Sequence, residues 1–297
     1  MKVPDLAALG RYECVYFSPH LDDVALSCAA QVLAHRQAGR RVLVATFFSH
    51  PGDADAGPFR CADYPTRQAE DLAANEAMGA DTLHLGLPDA PFRSAQYRTF
   101  EGILFARDPS DQAMLAQARA AAAEVLQRTG AAHVFAPLGV GEHVDHRIAH
   151  AAVPGAACYE DRPYALVARA VELRLAVLGA GPALRDAALE TEFLPALLEA
   201  PMAQALAATP QARHQIEQGY RRLNREAPAP CFRAAAETLA FDASLSSRVQ
   251  QVFEHHASQV QAITGGPGHY VALLSDAAAR MGHPGAHVER LWRLAPG

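Results

Sequence analysis

The chain has 297 residues, of which 50% are hydrophobic, and its 26 basic and 32 acidic side chains give a formal net charge of −6. This length suits an α/β protein with a substantial core, and the acidic balance argues against a nucleic-acid-binding protein. The N-terminus lacks the apolar stretch of a signal peptide, and no segment approaches the roughly 18 apolar residues of a membrane span. We therefore expect a soluble cytoplasmic protein with no membrane span and no nucleic-acid partner.

The cysteines indicate a reducing compartment. They are Cys14, Cys28, Cys61, Cys158 and Cys231, and they form no CxxC pair and no regular spacing. An odd number of irregularly spaced cysteines fits reduced cytoplasmic thiols better than a disulfide framework.

Strand and helix patterns alternate from the start of the chain. Residues 12–18 form a short apolar run rich in β-formers, and residues 41–48 form a second run that is almost continuously apolar. Such runs are typical of buried parallel strands. Between them, apolar residues with helical spacing over 24–36 predict a helix.

The alternation continues after a break. Residues 49–65 are dense in Gly, Pro and Asp and predict a loop, and Thr66 can cap a helix over 66–78 that Gly79 closes. Residues 82–85 predict a third strand.

A second long helix and a fourth strand follow. The amphipathic pattern over 111–128 predicts a helix ended by Gly130, and residues 133–137 predict a strand that leads to a helix from about Asp145. This repeated order predicts a parallel sheet with helices on both faces.

The last third of the chain has weaker patterns. Residues 242–263 predict one long helix, on which His255 and His256 could line a pocket, although we expect both to be exposed. The sequence shows no internal repeat or linker, so we predict one domain over 1–297. Its catalytic core would span about 10–165, and 166–297 would complete the fold and the pocket; a separate C-terminal unit is the alternative.

Two polar clusters follow predicted strands one and four. They are SPHLDD at residues 18–23 and GEHVDHR at residues 141–147. In parallel sheets functional groups collect beyond the carboxyl ends of the strands. At a turn into a helix, residues three apart can point to one side, so His20 and Asp23 can converge. We expect the two clusters to form one site.

The side chains of these clusters suit metal-assisted hydrolysis. A catalytic zinc ion typically takes three N or O ligands and leaves one position for water. Bound zinc lowers the pKa of water and polarises a substrate carbonyl. A further carboxylate can act as general base, and a further histidine can donate to the oxyanion. The two clusters supply all five groups.

These motifs resemble those of the LmbE-like, or PIG-L-type, zinc deacetylases, which remove acetyl groups from N-acetylglucosamine derivatives. The family carries a His-Pro-Asp-Asp-Glu-like motif after its first strand and a His-x-Asp-His motif after a later one. The resemblance implies a Rossmann-like three-layer α/β sandwich with a mostly parallel sheet. It also implies that Zn²⁺, or another divalent transition metal, binds His20, Asp23 and His146.

The same resemblance implies roles for neighbouring residues. Asp22 matches the general base, His143 matches the residue that stabilises the oxyanion, and Asp145 would orient His143. Leu21 and Val24 stand where the family usually has Pro and Glu. Neither is a ligand position, so these departures concern the substrate rather than the chemistry.

The resemblance extends over about residues 12–165 and includes two candidate substrate-binding residues. Arg67 would reach the substrate sugar or its anionic aglycone, with a solvated helix-face arginine paired to Glu70 or Asp71 as the alternative. Asp89 would hydrogen-bond sugar hydroxyls, with a turn-forming aspartate after Pro88 as the alternative.

The expected function is zinc-dependent removal of an N-acetyl group from a small N-acetylated amino-sugar derivative. Hydrolysis of another small amide or ester is the alternative, and a phosphoesterase would usually need a second metal. A nucleotide-binding module would need a glycine-rich phosphate loop after the first strand, where this chain has SPHLDD.

Overall fold

A computed structural model describes residues 6–50 and 64–297. Seven strands form one sheet: β1 (Cys14–Ser18), β2 (Val42–Thr46), β3 (Asp81–His84), β4 (His133–Pro137), β5 (Ala157–Tyr159), β6 (Phe232–Phe241) and β7 (His287–Pro296). Their order in the sheet is β3-β2-β1-β4-β5-β7-β6. Strands β1 to β5 pair in parallel, whereas β7 pairs antiparallel to both β5 and β6. The predicted mostly parallel sheet is confirmed.

The described helices of the first half are α1 (Asp23–Gln37), α2 (Tyr64–Met78), α3 (Ala90–Arg93), α4 (Phe100–Phe105), α5 (Ser110–Thr129) and α6 (Val144–Ala152). Four of them, α1, α2, α5 and α6, lie where the patterns predicted them, whereas the short helices α3 and α4 were not predicted. Helix α2 already includes Tyr64 and Pro65, so Thr66 lies within the helix and does not cap it as predicted. Most of the predicted loop at 49–65 lies outside the described residues. Gly79 and Gly130 follow their helices with positive φ values, as predicted.

The second half holds the remaining described helices. They are α7 (Ala170–Val177), α8 (Asp186–Ala188), α9 (Leu194–Glu199), α10 (Pro201–Leu206), α11 (Pro210–Arg225), α12 (Ala243–His255), α13 (Ala257–Thr264) and α14 (Pro267–Arg280). A π-helical turn at Leu189–Phe193 joins α8 to α9.

The prediction of one long helix over 242–263 is wrong. The chain breaks at His256, where ψ is 42° and the backbone N–H donates to the carbonyl of Phe253, so that α12 and α13 are separate. His256 is buried, contrary to expectation, and His255 is exposed. The turn of the chain places the His256 ring in the interior.

Both faces of the sheet are covered, which gives the three-layer sandwich. Along β1, Cys14 and Tyr16 pack into one core with helices α1, α12 and α14. The intervening Val15 and Phe17 pack into a second core with α5 and α6. This alternation follows from the two-residue period of a strand.

A third apolar cluster lies beside the sheet and joins the two halves of the chain. It packs residues of α4 against residues of α7, α9, α10 and α11. Residues 166–297 therefore add both strands and helices to the N-terminal part, and the single-domain organisation stays a prediction. None of the helices in the described ranges is long and apolar enough to cross a membrane.

Candidate active site

The two polar clusters meet because their strands are neighbours. β1 and β4 pair in parallel, with Tyr16 beside Phe135. Both strands therefore end at the same edge of the sheet, where β1 leads into α1 and β4 leads into α6 through a short loop. The functional side chains stand on the first turns of these helices and on the residues just before them.

Three residues form a candidate metal centre. The ligand atoms of His20, Asp23 and His146 all lie within 4.8 Å of one another, and the three side chains are buried. The Asp23 Oδ2 atom lies 3.2 Å from His20 Nδ1 and 3.4 Å from His146 Nε2. Two imidazole nitrogens and one carboxylate oxygen fit a divalent transition metal such as zinc and leave a coordination position open.

In each of the two histidines, the ring nitrogen that does not face Asp23 contacts another carboxylate. Asp145 Oδ2 lies 3.1 Å from His20 Nε2, and Asp161 Oδ1 lies 2.7 Å from His146 Nδ1. The other oxygen of Asp161 accepts the backbone N–H groups of Gly139 and Val140. Metal-binding histidines usually have such a carboxylate partner, which fixes the ring and its tautomer. This pattern supports a metal site rather than an ordinary buried polar cluster.

The adjacent carboxylates Asp22 and Asp23 have pKa values shifted in opposite directions. Burial and the Asp23 carboxylate raise the pKa of Asp22 to about 6, against the effect of Arg67. Burial also acts to raise the pKa of Asp23, but His146 and His20 lower it to about 2. Pairs with such divergent pKa values are typical of acid–base sites. Asp23 is suited to hold a cation, and Asp22 to exchange a proton near neutral pH.

His143 is held as a neutral hydrogen-bond donor. The backbone N–H of Asp145 donates to His143 Nδ1 at 3.1 Å, so the neutral ring carries its proton on Nε2. Burial, together with His20 and His146, lowers the pKa of His143 well below its usual value. Its ring centroid lies 4.8 Å from that of His20. His143 can therefore donate to an oxygen beside the metal centre.

Asp145 occupies its predicted place but makes a different contact. Its backbone, not its carboxylate, contacts His143, and the carboxylate contacts His20 and Arg93. Arg93 Nη1 lies 2.6 Å from Asp145 Oδ1, and the Ala90 N–H donates to Asp145 Oδ2. Sequence reasoning missed Arg93, because it lies far from Asp145 in the chain and no spacing rule connects the two.

Arg67 is part of the site wall. It is 5% exposed, which contradicts the alternative of a solvated side chain on a helix face. Arg67 Nη2 lies 3.9 Å from Asp22 Oδ1, and Nη1 lies 3.8 Å from Asp89 Oδ2. The guanidinium group thus stands between two carboxylates at the site.

Asp89 is buried in the same wall. It accepts a hydrogen bond from the Tyr64 hydroxyl, and its Oδ1 lies 3.6 Å from His20 Nε2. Burial acts to raise the pKa of Asp89, but His20 and Arg67 hold it well below its usual value. Its side chain makes no capping hydrogen bond to helix α3, which weakens the alternative of a purely turn-forming residue. Asp89 is an ionised acceptor that faces the site.

The loop between β4 and α6 is fixed by residues from the second half of the chain. Gly141 has φ +89°, and a Cβ atom there would lie 2.3 Å from the Tyr164 ring. Arg174 donates to the carbonyl of Leu138 at 2.9 Å and to the carboxylate of Glu142 at 3.0 Å. The loop is therefore held in place before helix α6 begins.

These groups surround a cavity of about 330 Å³. Its polar lining contains seven of the eight predicted site residues: His20, Asp22, Asp23, Arg67, Asp89, His143 and His146. The eighth, Asp145, lies behind His20. The rest of the lining is largely apolar and comes in part from helices α4, α10 and α13. A cavity of this size is at the low end of the roughly 300–1,000 Å³ of small-molecule sites.

The same geometry argues against a nucleotide-binding module. Carboxylates follow β1 where such a fold needs glycine N–H groups around a phosphate. In the absence of a bound metal ion, the carboxylates of Asp22, Asp23 and Asp89 would repel a phosphate group that entered the cavity.

Two sequence comparisons identify proteins that this chain resembles. A family model described as PIG-L, GlcNAc-PI de-N-acetylase, matches residues 15–157. A curated relative, the 2'-N-acetylparomamine deacetylase of Streptomyces fradiae, is 32% identical over 170 residues, which are 53% of this chain and 59% of that protein. The alignment therefore spans less than two thirds of the curated relative.

Solved structures share the fold over nearly the whole chain. The A40926 pseudoaglycone deacetylase has a TM-score of 0.64 at 19% identity, over 96% of this chain and 98% of that one. The zinc-inhibited form of teicoplanin deacetylase has a TM-score of 0.63 at 19% identity, with the same coverage. At this identity the likeness concerns the fold, and it confirms the predicted fold class.

Proposed function

We propose that this chain, whose residues 15–157 match the PIG-L family model, is a metal-dependent hydrolase that removes the N-acetyl group from an N-acetylglucosamine-type amino-sugar derivative. The observation that carries this proposal is the buried group of His20, Asp23 and His146 with a carboxylate of raised pKa, Asp22, beside it. A likeness to the paromamine deacetylase supports an amino-sugar substrate.

We assign the metal to His20, Asp23 and His146, with Zn²⁺ as the ion. When bound, a zinc ion lowers the pKa of water and polarises a carbonyl group. Asp145 and Asp161 contact one nitrogen of each imidazole ring. The other nitrogen, which would bind the metal, lies close to the Asp23 carboxylate. This prior arrangement reduces the reorganisation that ion binding requires.

Proton transfer belongs to Asp22. Its carboxylate takes a proton from the water that attacks the amide carbonyl and then returns it to the nitrogen of the leaving amine. The products are acetate and a free amino sugar. A carboxylate with a pKa of about 6 is ionised at neutral pH, yet basic enough to accept this proton.

His143 stabilises the charge that develops on the carbonyl oxygen. Its Nε2–H donates to that oxygen because Nδ1 is already bound to the backbone N–H of Asp145. A donor held in place before the reaction acts most strongly in a buried site. Asp145 thus positions two groups: His143 through its backbone and His20 through its carboxylate.

Arg67 and Asp89 bind the sugar. The Arg67 guanidinium group offers hydrogen-bond donors, and the ionised Asp89 carboxylate accepts from hydroxyl groups. Both are buried at the cavity wall within 4 Å of each other. The sugar ring is thereby placed with its amide toward the metal centre. The cytoplasmic location stays a prediction.

Acetate release tests the proposal. Zinc-loaded protein is incubated with a panel of N-acetylglucosaminides and, separately, with simple acetyl esters and acetylated amines. We expect stoichiometric acetate and free amino sugar from members of the first group. Turnover of the esters or simple amides alone would contradict the amino-sugar assignment and leave a general metal-dependent hydrolase.

A further inference from the structure

The cavity has an apolar side that the proposed chemistry does not use. This apolar wall consists of Phe100, Ile103, Met202, Leu206 and Ile263. Phe100 and Ile103 belong to α4, Met202 and Leu206 to α10, and Ile263 to α13. None of these side chains offers a hydrogen bond or a charge to a sugar hydroxyl.

The apolar wall leads from the buried site to solvent. Phe100, Ile103 and Met202 are buried, whereas Leu206 is 43% exposed. Leu206 and Phe232 are the two large hydrophobic residues found exposed in the described ranges. Scattered exposed leucines are ordinary, but this one continues an apolar surface at the edge of a cavity.

The part of the wall on α13 is tied to the polar site by hydrogen bonds. The Ser258 hydroxyl and backbone N–H, at the start of α13, both donate to the Glu70 carboxylate, at 2.6 and 3.0 Å. Glu70 lies on α2, one helical turn from Arg67. Helix α13, which carries Ile263 of the wall, is therefore tied to the helix that carries Arg67 before any substrate enters.

We infer that the substrate is an amino sugar with an apolar aglycone, a cycloalkyl, aryl or similar hydrocarbon group, which packs on the apolar wall; this rests on the proposed function. The polar residues around the amide are all buried. An acetyl group has a single methyl carbon beyond its carbonyl, so it is too short to leave this polar region and reach the wall. Among the described residues, the wall reaches solvent at Leu206, and the larger part of the substrate extends in that direction. Polyhydroxylated aglycones would lose hydrogen bonds to water against this surface.

Two glycosides of equal ring size test the inference. Cyclohexyl and inosityl 2-acetamido-2-deoxyglucosides differ mainly in the hydroxyl groups of the six-membered aglycone ring. We expect kcat/KM for acetate release to be about tenfold higher for the cyclohexyl compound, because its apolar ring fits the wall. Equal or reversed values, with acetate still released, would overturn the inference and leave the deacetylase proposal intact.

Variants assign the preference to the wall. Leu206→Asp, at an exposed position, is expected to lower the cyclohexyl-to-inosityl ratio about fivefold, and Ile263→Asp, at a half-buried position on another helix, should lower it as well. Phe232→Asp is the matched control, since Phe232 is 42% exposed and does not line the cavity. A ratio unchanged in both wall variants, or equally lowered in the control, would contradict the assignment.

A third arm separates the aglycone from the acyl group. If the wall instead receives the acyl chain, the N-hexanoyl inosityl glycoside will be hydrolysed faster than its N-acetyl counterpart, and the inference is overturned. Absence of acetate release from every glycoside would overturn the proposed function, and this inference with it.

Discussion

The two sides of the cavity come from different parts of the chain and differ in chemistry. The polar side is built from the strand ends and helix starts between residues 18 and 146, and its groups are charged or titratable and buried. The apolar side combines two residues of α4 with residues of α10 and α13, and these last two helices lie beyond the matched family region. In the proposed account, the groups at the strand ends carry out the reaction and the apolar wall selects among substrates.

This division makes separate predictions for the two sides. Changes on the polar side should lower turnover of all substrates together, because every substrate uses the same proton and oxyanion groups. Changes on the apolar side should alter the ratio between substrates.

The largest effect is expected for Asp22→Asn. Removal of the proton acceptor should lower kcat by about 10²–10⁴-fold for every active glycoside. The metal ligands are unchanged, so metal content and the circular dichroism spectrum should match the parent. Asp81→Asn is a matched control, because Asp81 begins β3 at the opposite edge of the sheet. A rate within tenfold of the parent would remove Asp22 from the role of base.

A somewhat smaller effect is expected for His143→Ala. Loss of one donor to the developing oxyanion should lower kcat by about 10²–10³-fold and leave KM nearly unchanged. His133→Ala, at the exposed start of β4, is the control at the other end of the same strand. A raised KM with an unchanged kcat would instead assign His143 to substrate binding.

Asp161→Asn tests the contact behind the metal centre. Asp161 holds His146 at 2.7 Å and also two backbone N–H groups of the loop. We expect zinc affinity to fall by about 10–100-fold, measured by competition with a chelating dye. Unaltered affinity would show that the ring of His146 is held without this carboxylate.

The smallest expected effect concerns stability in acid. His256 is buried with no hydrogen-bond partner for either ring nitrogen in the described structure, and burial, with Arg67 and His255 nearby, lowers its pKa to about 3. Below about pH 6.5 the imidazole of His256 is protonated in the unfolded chain but stays neutral in the folded chain. The free energy of unfolding therefore decreases as the pH falls toward 3.

His256→Leu should remove this dependence. The loss in free energy of unfolding between pH 7 and pH 5 should be about 2 kcal/mol smaller than in the parent, measured by urea unfolding. His255→Leu is the control, because His255 is exposed and stays in water in both states. An identical pH dependence in the parent and in His256→Leu would refute the assignment.

The polar side could be predicted from sequence because its residues lie in two short motifs at predicted strand ends. His20 and Asp23 converge as their spacing indicated, and His146 joins them because β1 and β4 are neighbours in the sheet. The alternation of strand and helix patterns predicted the parallel core. The motif could not indicate which atom of Asp145 contacts His143, since that depends on backbone geometry at the start of α6.

The later half could not be predicted in the same way. Strand β6 is rich in alanine and largely exposed, so its sequence shows no alternation, and its pairing with β7 is antiparallel and distant in the chain. The break at His256 comes from tertiary packing rather than from a Gly or Pro. Arg93 and Leu206 could not be identified from sequence because the residues around them in the structure are distant in the chain.

The central claim is that His20, Asp23 and His146 together hold one catalytic metal ion. Metal content by plasma mass spectrometry, with acetate release on the same samples, tests it most directly in the parent protein and in His146→Ala. The account predicts one divalent ion per chain in the parent, activity lost on chelation and restored by zinc, and neither metal nor activity in the variant. Full activity in metal-free protein, or a metal content in His146→Ala equal to that of the parent, would contradict it.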